Sequence, residues 1–146
     1  MQPIQPRWIQ AILLYLIISN AIPGCWALFM PESFYTSFPG FGRTWVSVDG
    51  PYNEHLIRDV GAFFLAVTTL CCLTLIVPRL VTAQATASCL LVFNIPHLLY
   101  HLRHLHMLPW IDQVGNVVAL SLAVLLPILL MIYSASVQKS RQSVLF

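Results

Sequence analysis

Charge is what this sequence has least of. Only 8 % of its 146 residues are Asp, Glu, Lys or Arg, where a soluble domain carries about 25 %. Net charge is +2, and no Lys/Arg cluster interleaved with aromatics occurs, which excludes a nucleic-acid partner. The four cysteines, Cys25, Cys71, Cys72 and Cys89, all lie in apolar runs, and none forms a CxxC pair. Adjacent Cys71 and Cys72 suit neither a disulfide to each other nor a tetrahedral zinc site. They read as packing thiols. No internal repeat is visible.

What is there is apolar. The hydrophobic fraction is 58 % and the mean hydropathy +0.79. A chain this short cannot hide so much apolar surface in a core of its own, so lipid is the solvent for the excess. Four segments reach the ~20 residues that a spanning helix needs: 9–29, 57–77, 80–102 and 114–133. The fold class expected is therefore an all-α membrane protein, one domain of four transmembrane helices in an up-down bundle. A flexible polar tail, 134–146, follows.

The first segment is read as a span and not as a signal peptide. Its apolar run continues past Ile22-Pro23-Gly24-Cys25 into Trp26-Ala27-Leu28-Phe29, whereas a signal segment is shorter and ends in a polar flank. Pro23-Gly24 is expected to bend or break this helix. Pro78-Arg79 is expected to make a tight hairpin between the second and third segments. With four spans, both termini share a side with Pro78-Arg79. That side holds Arg7, Arg79, Lys139 and Arg141, against Arg43, Arg58 and Arg103 on the other. The excess places both termini in the cytoplasm of a multi-pass cell-membrane protein.

The long connection between the first two spans, MPESFYTSFPGFGRTWVSVDGPYNEHL, lacks the Ser/Glu/Lys richness of a disordered linker. It carries Phe34, Tyr35, Phe38, Phe41, Trp45 and Tyr52, with turns marked by Pro39-Gly40 and Gly50-Pro51. Two readings stand side by side: a lid over the outer ends of the helices, or an interfacial aromatic belt.

The few polar residues gather at that outer side. Glu54, His55, Arg58 and Asp59 open the second span, Asn94, His97, His101 and His104 close the third, and Asp112 and Asn116 open the fourth. At 100° per residue, Asn94, His97, His101 and His104 occupy a sector of about 80°, with Arg103 and His106 pointing elsewhere. Glu54–Arg58 and His55–Asp59 are i,i+4 pairs. Charged groups within a span face the bundle interior or water, so these three stripes can line one pocket. Its candidate members are His55, Arg58, Asp59, His97, His101 and Asp112, then Glu54, Asn94, His104 and Asn116.

Three functions fit. In one, the pocket binds a small molecule, a quinone or a lipid, in a protein accessory to a redox or transport system, with the histidines moving protons. In the second, the ion pairs satisfy themselves, the histidines favour the end of their helix electrostatically, and the protein is a scaffold or partner subunit, alone or as a homo-oligomer. In the third, His97, His101, His104 and His55 hold a metal ion or haem in a membrane oxidoreductase. The His-x3-His-x2-His spacing is like the histidine boxes of membrane di-iron desaturases and hydroxylases. Five histidines are too few for the separate boxes of those enzymes.

The run Arg58-Asp59-Val60-Gly61 resembles the helix start of small bacterial four-helix membrane proteins of the DoxX-like type. More broadly, FPGFG, GPYNEHLIRDVG and the Pro96-His97-x-x-Tyr100-His101-x-x-His104 pattern are similar to uncharacterised small bacterial integral membrane proteins. The similarity spans most of the chain. It implies a helical membrane protein and, since that group has no assigned reaction, no activity.

Overall fold

The structure is a computed structural model that describes residues 5–142, with side chains placed through Ser136. In chain order it comprises α1 (Arg7–Phe29), α2 (Pro31–Ser37), β1 (Pro39–Gly40), β2 (Arg43–Thr44), α3 (Glu54–Ile76), α4 (Ala83–His104), a 3-10 turn (Leu105–Met107) and α5 (Trp110–Gln142). Four of these helices, α1, α3, α4 and α5, are long and apolar enough to cross a membrane. A helix of 23 residues, as in α1 and α3, is about 34 Å long, enough for a hydrocarbon layer of about 30 Å. Their outward faces are apolar: Ile18, Ile22, Val92, Val118, Leu125 and Ile132 are all exposed. In lipid that is the stable arrangement.

The helix limits follow from local chemistry. The Asn53 side chain caps α3 by accepting from Leu56 N at 3.1 Å, and Thr82 caps α4 by accepting from Ala85 N at 3.2 Å. α3 stops before Val77 because Pro78 disfavours helical geometry there. The hairpin is looser than the sequence suggests: residues 77–82 separate α3 from α4, and α4 starts at the Thr82 cap, not at Leu80. α1 is not broken at Pro23-Gly24 but runs unbroken to Phe29. At the other end of the chain, α5 continues as helix to Gln142, through most of the segment expected to be a flexible tail. No Gly or Pro follows Pro127 to stop it. Residues 143–146 of that tail lie outside the described residues.

The connection between α1 and α3 is ordered. α2 begins with Pro31 at its first turn. The antiparallel β1–β2 pair sets Pro39 against Thr44 and Gly40 against Arg43. Phe34, Phe38, Trp26 and Trp45 pack ring against ring, with centroids 4.7–6.2 Å apart.

α1 packs along α3, and α4 along α5. The α1–α3 crossing is a backbone-to-backbone contact. A Cβ on Gly61 would lie 2.5 Å from Leu28 N and 2.9 Å from Gly24 O. Small residues permit such close approach. α4 and α5 run antiparallel, with Asn94 donating to Ala123 O at 2.8 Å and Ser88 donating to Met131 Sδ at 4.0 Å.

The main core lies at the end that carries the 77–82 turn, hereafter the turn end. There Ile9, Leu13 and Leu16 of α1 meet Val67 and Cys71 of α3, Ala87 and Leu90 of α4 and Leu130 of α5. Thr74 and Thr86, both fully buried, share a hydrogen bond of 2.5 Å between α3 and α4. The opposite end, which carries residues 30–53, is the loop end. Its smaller core, Ala27, Phe34 and Ile57 with Trp26, Tyr35, Phe38 and Val46, draws on α1, α2, α3 and the loop alone. The loop-end halves of α4 and α5 belong to neither cluster.

Candidate functional site

Two groups of contacts join those halves of α4 and α5 to the rest. Phe93 of α4 packs on Phe63 and Phe64 of α3, with centroids at 4.5 and 6.2 Å. On the other side, the loop docks on the first turns of α5. Asp112 is 5 % exposed, and its Oδ1 accepts from Arg43 Nη1 at 2.8 Å and from Trp45 Nε1 at 3.0 Å. The indole edge of Trp45 lies over Gly115, where a Cβ would come within 3.2 Å of it. Asp112 and Gly115 are three residues apart, on one face of the helix, so a single loop tryptophan is both hydrogen-bonded and seated.

Asn116, one turn on from Asp112, is only 3 % exposed, and among the described residues its Oδ1 has no hydrogen-bond partner. The antiparallel register set by Asn94 and Ala123 brings His101 level with Asn116 and His97 level with Leu120. His97 is half-buried and stacks on Phe93 at 5.1 Å and 20°, and the His101 ring meets it edge-on at 4.7 Å. Asp49 of the loop lies within electrostatic reach of His101. Asp112 and Asn116 thus lie on one face of α5 beside the docked loop, and His101 lies level with Asn116 on α4, with His97 one turn further along.

The remaining sequence-predicted residues go elsewhere. His104 stacks on Tyr100 at 4.2 Å, and its Nδ1 lies 2.8 Å from Tyr100 O. Asn94 is spent on the α5 backbone. On α3, Arg58 Nε donates to Glu54 Oε1 at 2.8 Å, and Arg58 Nη1 donates to Leu28 O in the last turn of α1. That guanidinium stabilises the carbonyl end of a neighbouring helix and ties α1 to α3. His55 and Asp59 make their i,i+4 pair at 3.3 Å, with side chains 87 % and 62 % exposed. The polar start of α3 is thus engaged with itself and with α1, and among the described residues none of its side chains bonds to the polar residues of α4 or α5.

The quartet suggested for a metal or haem is likewise dispersed. His97 and His101 are neighbours, His104 is held by Tyr100, and His55 is on a different helix beside Asp59. Among the described residues no group of three or more His, Cys, Asp or Glu side chains converges as a metal site.

Sequence reasoning missed Arg43, Trp45 and Gly115 as the residues that dock the loop on the first turns of α5. A signal was present. Asp112 opens an apolar span and has no basic residue one turn away on its own helix, and Arg43 has no acidic one near it in sequence. A carboxylate within a span needs a counter-charge, and Arg43 was available.

No protein-family model, no curated protein and no solved structure matches this chain.

Proposed function

We propose that this is a multi-pass membrane protein that binds a small hydrogen-bond-donating molecule at the loop end, between α4 and α5 and beneath the Arg43–Trp45 segment. One observation carries the reading: among the described residues, Asn116 Oδ1 is buried without a donor. Leaving such an acceptor unpaired costs about 1–3 kcal/mol, and a ligand donor would offset that. His101, level with it, and His97, one turn further along α4, supply ring nitrogens that can donate, accept or pass a proton. The Trp45 indole beside Gly115 supplies an apolar wall, as small-molecule sites commonly have. A quinol or a lipid hydroxyl has the required donor together with the required apolar body.

The antiparallel contacts of α4 with α5 and the Leu28–Gly61 crossing of α1 with α3 favour an up-down bundle. In that arrangement the Lys/Arg excess at the turn end favours cytoplasmic termini and an outward-facing loop. The scaffold reading is favoured by a different observation. The polar groups at the start of α3 are all engaged with one another or with Leu28 O, so that half of the molecule is built for helix–helix packing.

Asn116→Leu separates the two. The substitution keeps the branched four-atom shape of the side chain and removes the unpaired acceptor. In the ligand reading, the variant loses heat stability relative to the parent in native membranes and gains it after exhaustive delipidation. In the scaffold reading, it gains stability by about 1–3 kcal/mol in both.

A further inference from the structure

The β1–β2 hairpin closes through Phe41 and Gly42, at φ 59° and 71°. Positive φ at both central residues makes a type I′ turn, which favours Asn-Gly, Asp-Gly or Gly-Gly. An L residue with a bulky side chain is disfavoured in the left-handed region, yet phenylalanine occupies it here. Among the described residues its side chain has no compensating contact: Phe41 is 99 % exposed, although Phe34, Phe38, Trp26 and Trp45 all pack ring on ring nearby. Within this chain, then, Phe41 is ill-suited to its backbone and unused by its neighbours.

The hairpin beneath it is firmly seated. Trp45 N donates to Phe38 O at 2.8 Å, and Arg43 and Trp45 are both fixed on Asp112. No charge occurs from Phe38 to Gly42. The Arg43–Asp112 pair places this tip beside the first turn of α5, where the apolar span begins and where Trp110, Ile111 and Met107 are also exposed. Aromatic side chains are enriched at the level where a span meets water.

We propose that Phe41 is a membrane anchor: a rigid hairpin presents its ring to the headgroup–acyl boundary of the leaflet at the loop end. The apolar collar of Trp110, Ile111 and Met107 continues into the same layer, and the uncharged tip carries nothing that would hold it in water. The anchor couples the bilayer to the candidate site, because the segment it pins is the one that covers Asp112 and Gly115. This inference depends on the chain spanning a membrane and not on any ligand at Asn116.

The test places purified full-length Phe41→Trp in phosphatidylcholine vesicles and takes the emission in excess of the parent. Vesicles carry either lipid brominated near the headgroup or iodide on both sides. An inserted ring is quenched several-fold more by the brominated lipid than by iodide. Quenching by iodide alone, or by neither, overturns the proposal, the latter result meaning that a second copy of the chain covers the ring. Phe41→Asn provides an independent check that needs no tryptophan. Asparagine suits the turn better, so a purely structural hairpin would resist protease as well as or better than the parent. Loss of an anchor instead speeds cleavage of residues 38–50 several-fold in vesicles with the loop facing outward, and unchanged or slower cleavage overturns the proposal.

Discussion

Gly61→Ala is the sharpest probe of how α1 and α3 are joined. Helix propensity alone favours the substitution: alanine is about 1 kcal/mol better than glycine in a helix interior. Packing opposes it. The new Cβ would stand 2.5 Å from Leu28 N, 2.9 Å from Gly24 O and 2.9 Å from Leu28 Cα, and all three are backbone atoms with no rotamer to change. The helices must separate, and forced overpacking of this kind costs about 1–3 kcal/mol. Separation also pulls Leu28 O from Arg58, and a lost hydrogen bond to a charged group costs about 1.5–3 kcal/mol. The two penalties together exceed the propensity gain, so the variant is expected to be less stable by about 1.5–5 kcal/mol. Thermal unfolding in detergent, followed by circular dichroism, reads the difference. The other helical glycines grade the effect. A Cβ on Gly24 meets the Phe64 and Leu65 side chains at 3.0–3.2 Å, and one on Gly115 meets only the Trp45 ring, at 3.2 and 3.4 Å. The order of damage should be Gly61, then Gly24, then Gly115. A Gly61→Ala protein as stable as the parent would refute the crossing.

Further outcomes follow from other contacts. Arg43→Ala leaves the nearly buried Asp112 with Trp45 as its remaining donor; a loss of about 1–3 kcal/mol is expected, and a double-mutant cycle with Asp112→Asn should recover much of it as coupling. Thr74→Val alone strands the Thr86 hydroxyl and costs about 1–3 kcal/mol, whereas Thr74→Val with Thr86→Val is nearly neutral in a melting experiment. His55→Ala and Asp59→Ala should leave the melting curve unchanged, since both side chains are largely exposed and such pairs contribute little; a clear loss would show that this pair belongs to a site.

The four apolar helices were legible because hydropathy and length are local properties of the chain. Their limits were less so. Thr82 delays α4, and the run after Pro127 lacks any residue that would stop α5. The angular stripe of α4 was readable, but which helix it would face was not. Arg58 illustrates the difficulty. Its i,i+4 partner Glu54 could be read from spacing, while its bond to Leu28 O depends on how closely α1 approaches α3, which depends in turn on Gly61. The Arg58-x-x-Gly61 pattern thus brings both of its residues to Leu28, and within this chain it serves helix packing. Asp112 was singled out correctly as a polar residue in a span. Its partners came from a loop whose fold rests on contacts among aromatic rings distant from α5 in sequence, and no periodicity reports those.

Native mass spectrometry of the parent and of Asn116→Leu, released from the same membranes under identical conditions, reads whether the buried acceptor of Asn116 holds a bound molecule. A small molecule retained by the parent and absent from the variant is expected. Identical masses, each equal to the bare chain or carrying the same adduct, would show that it holds none.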